Sequence, residues 1–313
     1  MFDTFTEQTD IFAVTIPTKI SLIFFSLYFT ISCTSKSPLG SADNPIKFFL
    51  VPGQDAQVLE TNGKTIEKWL TQETGLHFKI RVPLNYISVV ESFGSKKADM
   101  ALINTFGAIL AKEKYQASIR LRGIHFGRDF YNGQIIVKKG KIKNLNELNG
   151  KKFAFVDPAS ASGYLMAADL FQKKNIRPKE IVFAGAHDTA IMMLYQGKVD
   201  GAATFYSPES KGAPQDARKL VKTQLPDVFE KISILSLTDP IPNDPVIFSK
   251  EFPAELKEKI ATSLKKWIKT PEGQEVMMTL YNMNNLRDSS NEEYEEITKV
   301  LLRLGKSAAD FIK

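Results

Sequence analysis

Residues 156–165, reading VDPASASGYL, combine residue types and a spacing that point directly to chemistry. An apolar run (KFAFV) leads into them, Pro158 turns the chain, and Ser160, Ser162 and Gly163 stand where a helix would begin. The first turn of a helix carries N–H groups without intrahelical acceptors, at the positive end of the macrodipole. Serine hydroxyls there add neutral donors, and a glycine admits a ligand or a second backbone at close range. Such a segment can cradle an oxyanion. Taken alone, it fits an ordinary serine N-cap better than a cradle.

Other polar residues divide in the same way. His187 precedes a helical run over 188–196, where an imidazole can donate into a cleft, although a lone histidine at such a junction is more often a cap or a surface residue. Tyr86 and Tyr131 lie near element ends and offer an aromatic wall with a phenolic donor, or plain core-edge packing. His77 and His125 sit in strand-like runs and read as structural or exposed; Asp99 and Asp200 read as caps and turn formers. The lysines of 141–152 read as a solvated face. A serine hydrolase built on Ser160 or Ser162 with His187 and Asp244 is the competing chemistry. It lacks the G-x-S-x-G elbow, since the run is Ala-Ser-Ala-Ser-Gly. There is no H-E-x-x-H, P-loop or G-x-G-x-x-G motif, and a lone cysteine makes a structural zinc site improbable. No enzymatic activity, cofactor or metal is expected.

The elements that must position these residues alternate. From Pro45 onward, β-branched and aromatic runs at 46–51, 77–82, 99–103, 120–126 and 133–138 are interleaved with helical patterns at 62–74 and 86–94. The pattern then restarts, with a helical turn at 145–150, strands at 152–156, 181–184 and 199–204, and helices at 163–173 and 188–196. A loosely ordered connection at 220–228, strands at 231–237 and 246–248, and three C-terminal helices at 253–269, 271–283 and 292–304 complete it. This predicts an α/β protein of two lobes, each a mostly parallel sheet with helices, joined by a two-strand hinge. The expected division is 45–136 plus 243–313 for one lobe and 137–242 for the other. A ligand between lobes that are crossed twice is buried on closure.

The first 33 residues differ from the rest. Residues 20–32 form an uncharged apolar run of 13 residues after Lys19, too short to span a bilayer comfortably but right for a secretory signal. The run ends at Cys33, the single cysteine, and resembles a bacterial lipoprotein signal in which that cysteine is lipidated, with 34–44 as linker. This implies a periplasmic or cell-surface protein anchored to a membrane through lipid. Hydrophobic residues at 43% and charged residues at 24% exclude disordered and fibrous classes. A net charge of +6 favours anionic partners, but the basic residues are scattered without aromatic company, which argues against nucleic acid.

Taken in order, several segments resemble the periplasmic phosphonate/phosphite/phosphate-binding proteins of ABC transporters. They are the D-P-x-S-x-S-G-Y-L run from Asp157; Asn85-Tyr86 and Lys97-Ala98-Asp99-Met100-Ala101; Tyr131-Asn132-Gly133-Gln134; Gly185-Ala186-His187-Asp188; and Ile241-Pro242-Asn243-Asp244-Pro245. The resemblance covers about 46–280 and implies the two-lobed type II binding-protein fold. It also implies a phosphorus oxyanion as ligand, delivery to a permease and ATPase, and a monomer. Carried over, the family's ligand contacts fall on Tyr86, Tyr131, Ser160, Ala161, Ser162 and His187. Ala161 stands where phosphonate binders usually have threonine, losing a hydroxyl but keeping its N–H. Asp244 fits a position at which family members hold an aminoalkyl tail. Binders of other oxyanions or organic precursors in the same fold, and a surface sensor or adhesin, are the alternatives.

Overall fold

The structure, a computed structural model, describes residues 37–51, 56–83, 85–210 and 212–311, apart from the side chains of Ala56 and Tyr86. The expected signal segment and Cys33 lie outside the described residues.

Ile46–Leu50 (β1) is buried along nearly its whole length, as a strand covered on both faces must be. The helix Ala56–Thr74 (α1) turns Leu59, Ile66 and Leu70 to the core, and Phe78–Arg81 (β2), Tyr86–Gly94 (α2) and Met100–Leu102 (β3) follow. A further helix, Thr105–Tyr115 (α3), is buried at every position from Thr105 to Ala111. Apolar on all sides over that stretch, it shows no one-sided stripe and escaped the helical periodicity. Next come Ser118–Ile124 (β4), Phe130–Lys138 (β5) and Lys152–Phe155 (β6), with a 3-10 turn at Leu145–Leu148 before β6. A π turn, Ala161–Leu165, runs into Met166–Lys173 (α4). Glu180–Phe183 (β7), His187–Gln196 (α5) and Gly201–Tyr206 (β8) follow. The stretch expected to be loosely ordered, 220–228, lies mostly in turns between a 3-10 turn, Ala217–Val221, and a short helix, Val228–Lys231 (α6). The chain ends with Ile232–Pro242 (β9), Pro245–Phe248 (β10), Ala254–Trp267 (α7), Pro271–Tyr281 (α8), Asn285–Asp288 (β11) and Glu295–Arg303 (α9).

Two sheets result, one of six strands in the order β11-β4-β10-β3-β1-β2 and one of five in the order β7-β6-β8-β5-β9. The α/β class holds, but both sheets are mixed rather than mostly parallel. β1 runs parallel to β2 and β3, whereas β10 is antiparallel to β3 and β4, and β11 to β4. In the second sheet β6 is parallel to β7 and β8, while β5 is antiparallel to β8 and β9. The strands that run against the rest are β10 and β11 in the first sheet and β5 in the second.

The pairing also corrects where the chain crosses. A boundary between 136 and 137 would cut β5, which pairs with β9 from Phe130 to Lys138. The outward crossing is therefore the turn after β4, where His125 and Arg128 exchange backbone hydrogen bonds. An apolar strand such as GQIIV looks the same whichever sheet it joins, so the pattern could not place it. Asn243, 1% exposed, ties the return crossing to the outward one. Its amide donates to the carbonyls of Gly123 and Arg128 at 3.1 and 2.8 Å, and its backbone N–H to that of Asp129 at 3.0 Å. The Tyr294 hydroxyl donates to the Asn243 carbonyl at 2.6 Å.

The C-terminal helices brace the first sheet through a close backbone approach. A Cβ on Gly273 would stand 2.0 Å from the Trp267 carbonyl oxygen, an atom that cannot rotate away. Gly273→Ala is expected to destabilise the protein by about 1–3 kcal/mol through this overpacking. Urea denaturation checks it, and an unchanged midpoint would contradict this packing.

Candidate functional site

The strand β6 delivers the chain to residues 157–165, where almost every amide is accounted for. The Asp157 carboxylate accepts from the Ala159 N–H at 2.8 Å, and its carbonyl from the Ser160 N–H at 2.9 Å. Ser160 is the N-cap: its hydroxyl oxygen accepts from the Gly163 N–H at 3.0 Å. Its carbonyl takes the N–H groups of Tyr164 at 3.1 Å and Leu165 at 3.0 Å, the wider spacing that makes this a π turn. The N–H groups of Ala161 and Ser162 have no acceptor among the described residues. Both residues are buried, at 6% and 4% exposure. A buried donor without a partner costs about 1–3 kcal/mol, and two neighbours at a helix start attract an anion.

The sequence expected both serine hydroxyls to serve as donors. Ser160 acts first as the cap, its oxygen already engaged, although its O–H remains able to donate. Close approach of strands shapes the rest. A Cβ on Gly163 would meet Val156 at 2.6 Å, and one on Gly133 would meet the Ser162 carbonyl at 2.8 Å, so β5 passes directly against the turn.

Tyr131 of β5 brings its phenol within hydrogen-bonding reach of the Ser162 and Thr105 hydroxyls. Burial, with the Asp244 charge adding to it, pushes that phenol well above its ordinary range, so it stays protonated. Thr105 opens α3, donating its hydroxyl to the Pro242 carbonyl at 2.6 Å and its N–H to Asp244 Oδ1 at 3.3 Å. Burial pushes the Asp244 carboxyl up to about 6, against the pull of the Thr105 hydrogen bonds. No Lys, Arg or His forms an ion pair with it among the described residues. Ser162, Tyr131, Thr105 and Asp244 thus converge from the second sheet, the first sheet and the return crossing.

His187 opens α5 and lies edge-on to Phe205, the ring centroids 5.0 Å apart. Its Nδ1 is buried without a partner among the described residues, and burial pushes the imidazole down to about 4, leaving it neutral near pH 7. No hydrogen bond joins His187 to Ser160, Ser162 or Asp244 among the described residues. Tyr86 is the first residue of α2, capped by Asn85, whose side chain accepts from the Ser88 N–H at 2.9 Å. Its own side chain lies outside the described residues. His125 is half-buried, its imidazole pushed down to about 4 by desolvation. Lys141, Lys143 and Lys151 are exposed at the far end of β6, about 13 Å from the turn for a four-residue strand.

Thr105 was not anticipated. The available signal was Asn104-Thr105 directly after an apolar strand, an N-cap whose side chain accepts from the Gly107 N–H at 2.8 Å.

Comparison with known proteins bears on this arrangement. Residues 48–294 match the family model described as the periplasmic phosphonate substrate-binding protein of ABC transporters. The phosphonates-binding periplasmic protein of Escherichia coli K12 is 24% identical over 270 residues, covering 83% of this chain and 77% of its own. A probable phosphite-binding ABC transporter protein of Prochlorococcus marinus, PhnD1, is 25% identical over 196 residues. That alignment covers 59% of this chain and 65% of PhnD1, so the chain spans slightly less than two thirds of that relative's length. The crystal structure of PhnD1 with methylphosphonate has the same fold, with a TM-score of 0.66 at 17% identity over 84% of this chain and 98% of that one. The two-lobed type II architecture is therefore shared, and the chain belongs to the family of periplasmic phosphonate substrate-binding proteins of ABC transporters.

Proposed function

We propose that this chain captures a phosphorus oxyanion between its lobes and passes it to the permease and ATPase of an importer, while lipid on Cys33 holds it to the membrane. The unpaired N–H groups of Ala161 and Ser162 carry this reading. A tetrahedral anion seated on them is also within reach of the Ser162 hydroxyl and the Tyr131 phenol. All four are neutral donors that leave the ligand no fixed counter-charge to escape, which suits repeated capture and release. Tyr86, Ser160 and His187 complete the closure. The names of the relatives, which bind phosphonates, phosphite or phosphate, support the same ligand class.

Asp244 decides between ligands. A carboxyl group without a cation beside an anion socket repels a fully ionised ligand, but welcomes an ammonium group or a P–OH. Aminoalkylphosphonates and protonated phosphite fit it better than phosphate dianion.

Calorimetry against methylphosphonate, aminoethylphosphonate, phosphite, phosphate and sulfate tests the ligand class. Binding of at least one phosphorus compound and weaker binding of sulfate are expected; no binding of any phosphorus species at millimolar concentration would sink the proposal. Ser162→Ala should weaken the best ligand by about 1–3 kcal/mol, as a charged acceptor loses a buried donor.

The pH dependence follows from Asp244. An ammonium group favours its ionised form, so binding of aminoethylphosphonate releases a proton and tightens as pH rises through about 6. Methylphosphonate favours the protonated carboxyl and should weaken over the same interval. Asp244→Asn should flatten the contribution of this group in both titrations, and profiles identical to the parent's would remove Asp244 from the site.

The anchor is tested separately. In cells fed a palmitate analogue, the protein should carry label that Cys33→Ser abolishes; label on the variant would refute Cys33 as the lipidated residue.

A further inference from the structure

The two ends of the second sheet differ in character. Its parallel strands β6, β7 and β8 start together at one end, and β6 delivers the chain at the other to the turn that carries Ala161 and Ser162. At the starting end Lys152 pairs with Glu180, and Val137 near the close of β5 pairs with Gly201. Backbone hydrogen bonds knit the flanking turns into one surface there. The Lys179 N–H donates to the Lys151 carbonyl at 3.0 Å, the Gly150 N–H to that of Arg177 at 3.0 Å, and the Asp200 N–H to that of Lys152 at 2.9 Å.

Folding gathers on this surface positive charge that is scattered along the sequence. Lys141, Lys143, Lys151, Arg177, Lys179 and Lys198 are all exposed, and none forms an ion pair among the described residues. The three carboxylates of the same turns are engaged. Glu180 pairs with Lys152 at 2.8 Å, and Asp200 accepts from the Lys152 N–H at 2.9 Å. Glu147 accepts from the Lys143 N–H at 3.1 Å and from the Asn144 amide at 2.7 Å.

Composition decides what such a surface attracts. Residues 138–152, 174–180 and 197–200 contain no aromatic residue and a single arginine. Protein interfaces favour aromatic residues and arginine over lysine, and single-stranded nucleic acid needs rings on which its bases stack. Lysines on flexible stems suit instead a layer of single negative charges, as anionic phospholipid headgroups present. The strand ends β7-β6-β8-β5, about 4.8 Å apart, make the surface roughly 14 Å wide before its turns are counted, so it meets several headgroups at once. We propose that this end of the second lobe docks on anionic phospholipid and holds the carrier at the membrane surface between deliveries. Salt screens the attraction, so the contact breaks readily. It depends neither on the ligand reading nor on lipid at Cys33.

Residues 37–313 form one compact unit, so a chain beginning at Ser37 serves for the test without the leader or an anchor. At low salt it should sediment with vesicles of equal parts phosphatidylglycerol and phosphatidylcholine about tenfold more than with phosphatidylcholine alone, and come off as salt rises. The combined variant Lys141→Glu, Arg177→Glu, Lys151→Glu should lose that difference. Lys250→Glu, Lys259→Glu, Lys269→Glu changes the net charge equally at exposed positions outside the second sheet, and should sediment like the parent. Equal sedimentation with both vesicle types, or equal loss in both variants, overturns the proposal. So does retention of the parent on single-stranded DNA at salt concentrations that release it from the vesicles, which would make nucleic acid the better partner. The milder Lys141→Gln, Arg177→Gln, Lys151→Gln combination carries the same comparison should the charge-reversed chain fold poorly. Calorimetry with methylphosphonate should not distinguish the variants from the parent, so failure of this surface leaves the ligand reading intact.

Discussion

Everything in this site depends on an unfavourable condition that the fold sustains: two adjacent buried N–H donors with no acceptor among the described residues. Such donors normally find partners, and the surrounding chain shows how these are kept waiting. Asp157 takes the amides before them, the Ser160 oxygens take the amides after them, and the π turn shifts the following bonds by one residue. Gly133 and Gly163 let the strands close in without side chains between them. The cost is local, and the many buried contacts of two cores offset it.

The second requirement is that donors on one lobe meet groups from the other. Asn243 meets it with three hydrogen bonds that hold the crossings side by side, and Tyr294 pins the Asn243 carbonyl in turn. Arg122 stacks over the Tyr294 ring at 4.7 Å and donates to its hydroxyl at 3.2 Å, joining β4 to the C-terminal region. Asp244 is placed by the same short connection, so the carboxyl group beside Thr105 and Tyr131 and the residue that ties the two crossings together are neighbours in sequence.

The α/β alternation, α2 and the helix-start character of Ser160 were legible because each has a local cause: a period, a cap or a turn residue. α2 was expected at 86–94 and lies there, since Asn85 caps its start and Ser95 its end. What could not be read depended on contacts distant in the chain. α3 is buried on every side along its first two turns, and β11 is four residues with one fully apolar position, too short for a pattern. Placing β5 required knowing its partner strands. The motif marked the helix start but not the division of labour within the turn, because which oxygen caps and which amides stay unpaired is set by the π spacing. Thr105 joins the cluster only through folding, 137 residues away from the carbonyl it binds.

A π turn is one residue longer than the α turn it replaces. Removing a residue between Ala161 and Leu165 would restore ordinary helical spacing and rotate all of α4 by about 100°. Asp169 would then swing off Arg303, and Phe171 out of the aromatic cluster it forms with Phe153 and Phe155. The length of this short segment is thus locked from both ends: shortening it would unseat the helix beyond as well as the turn itself.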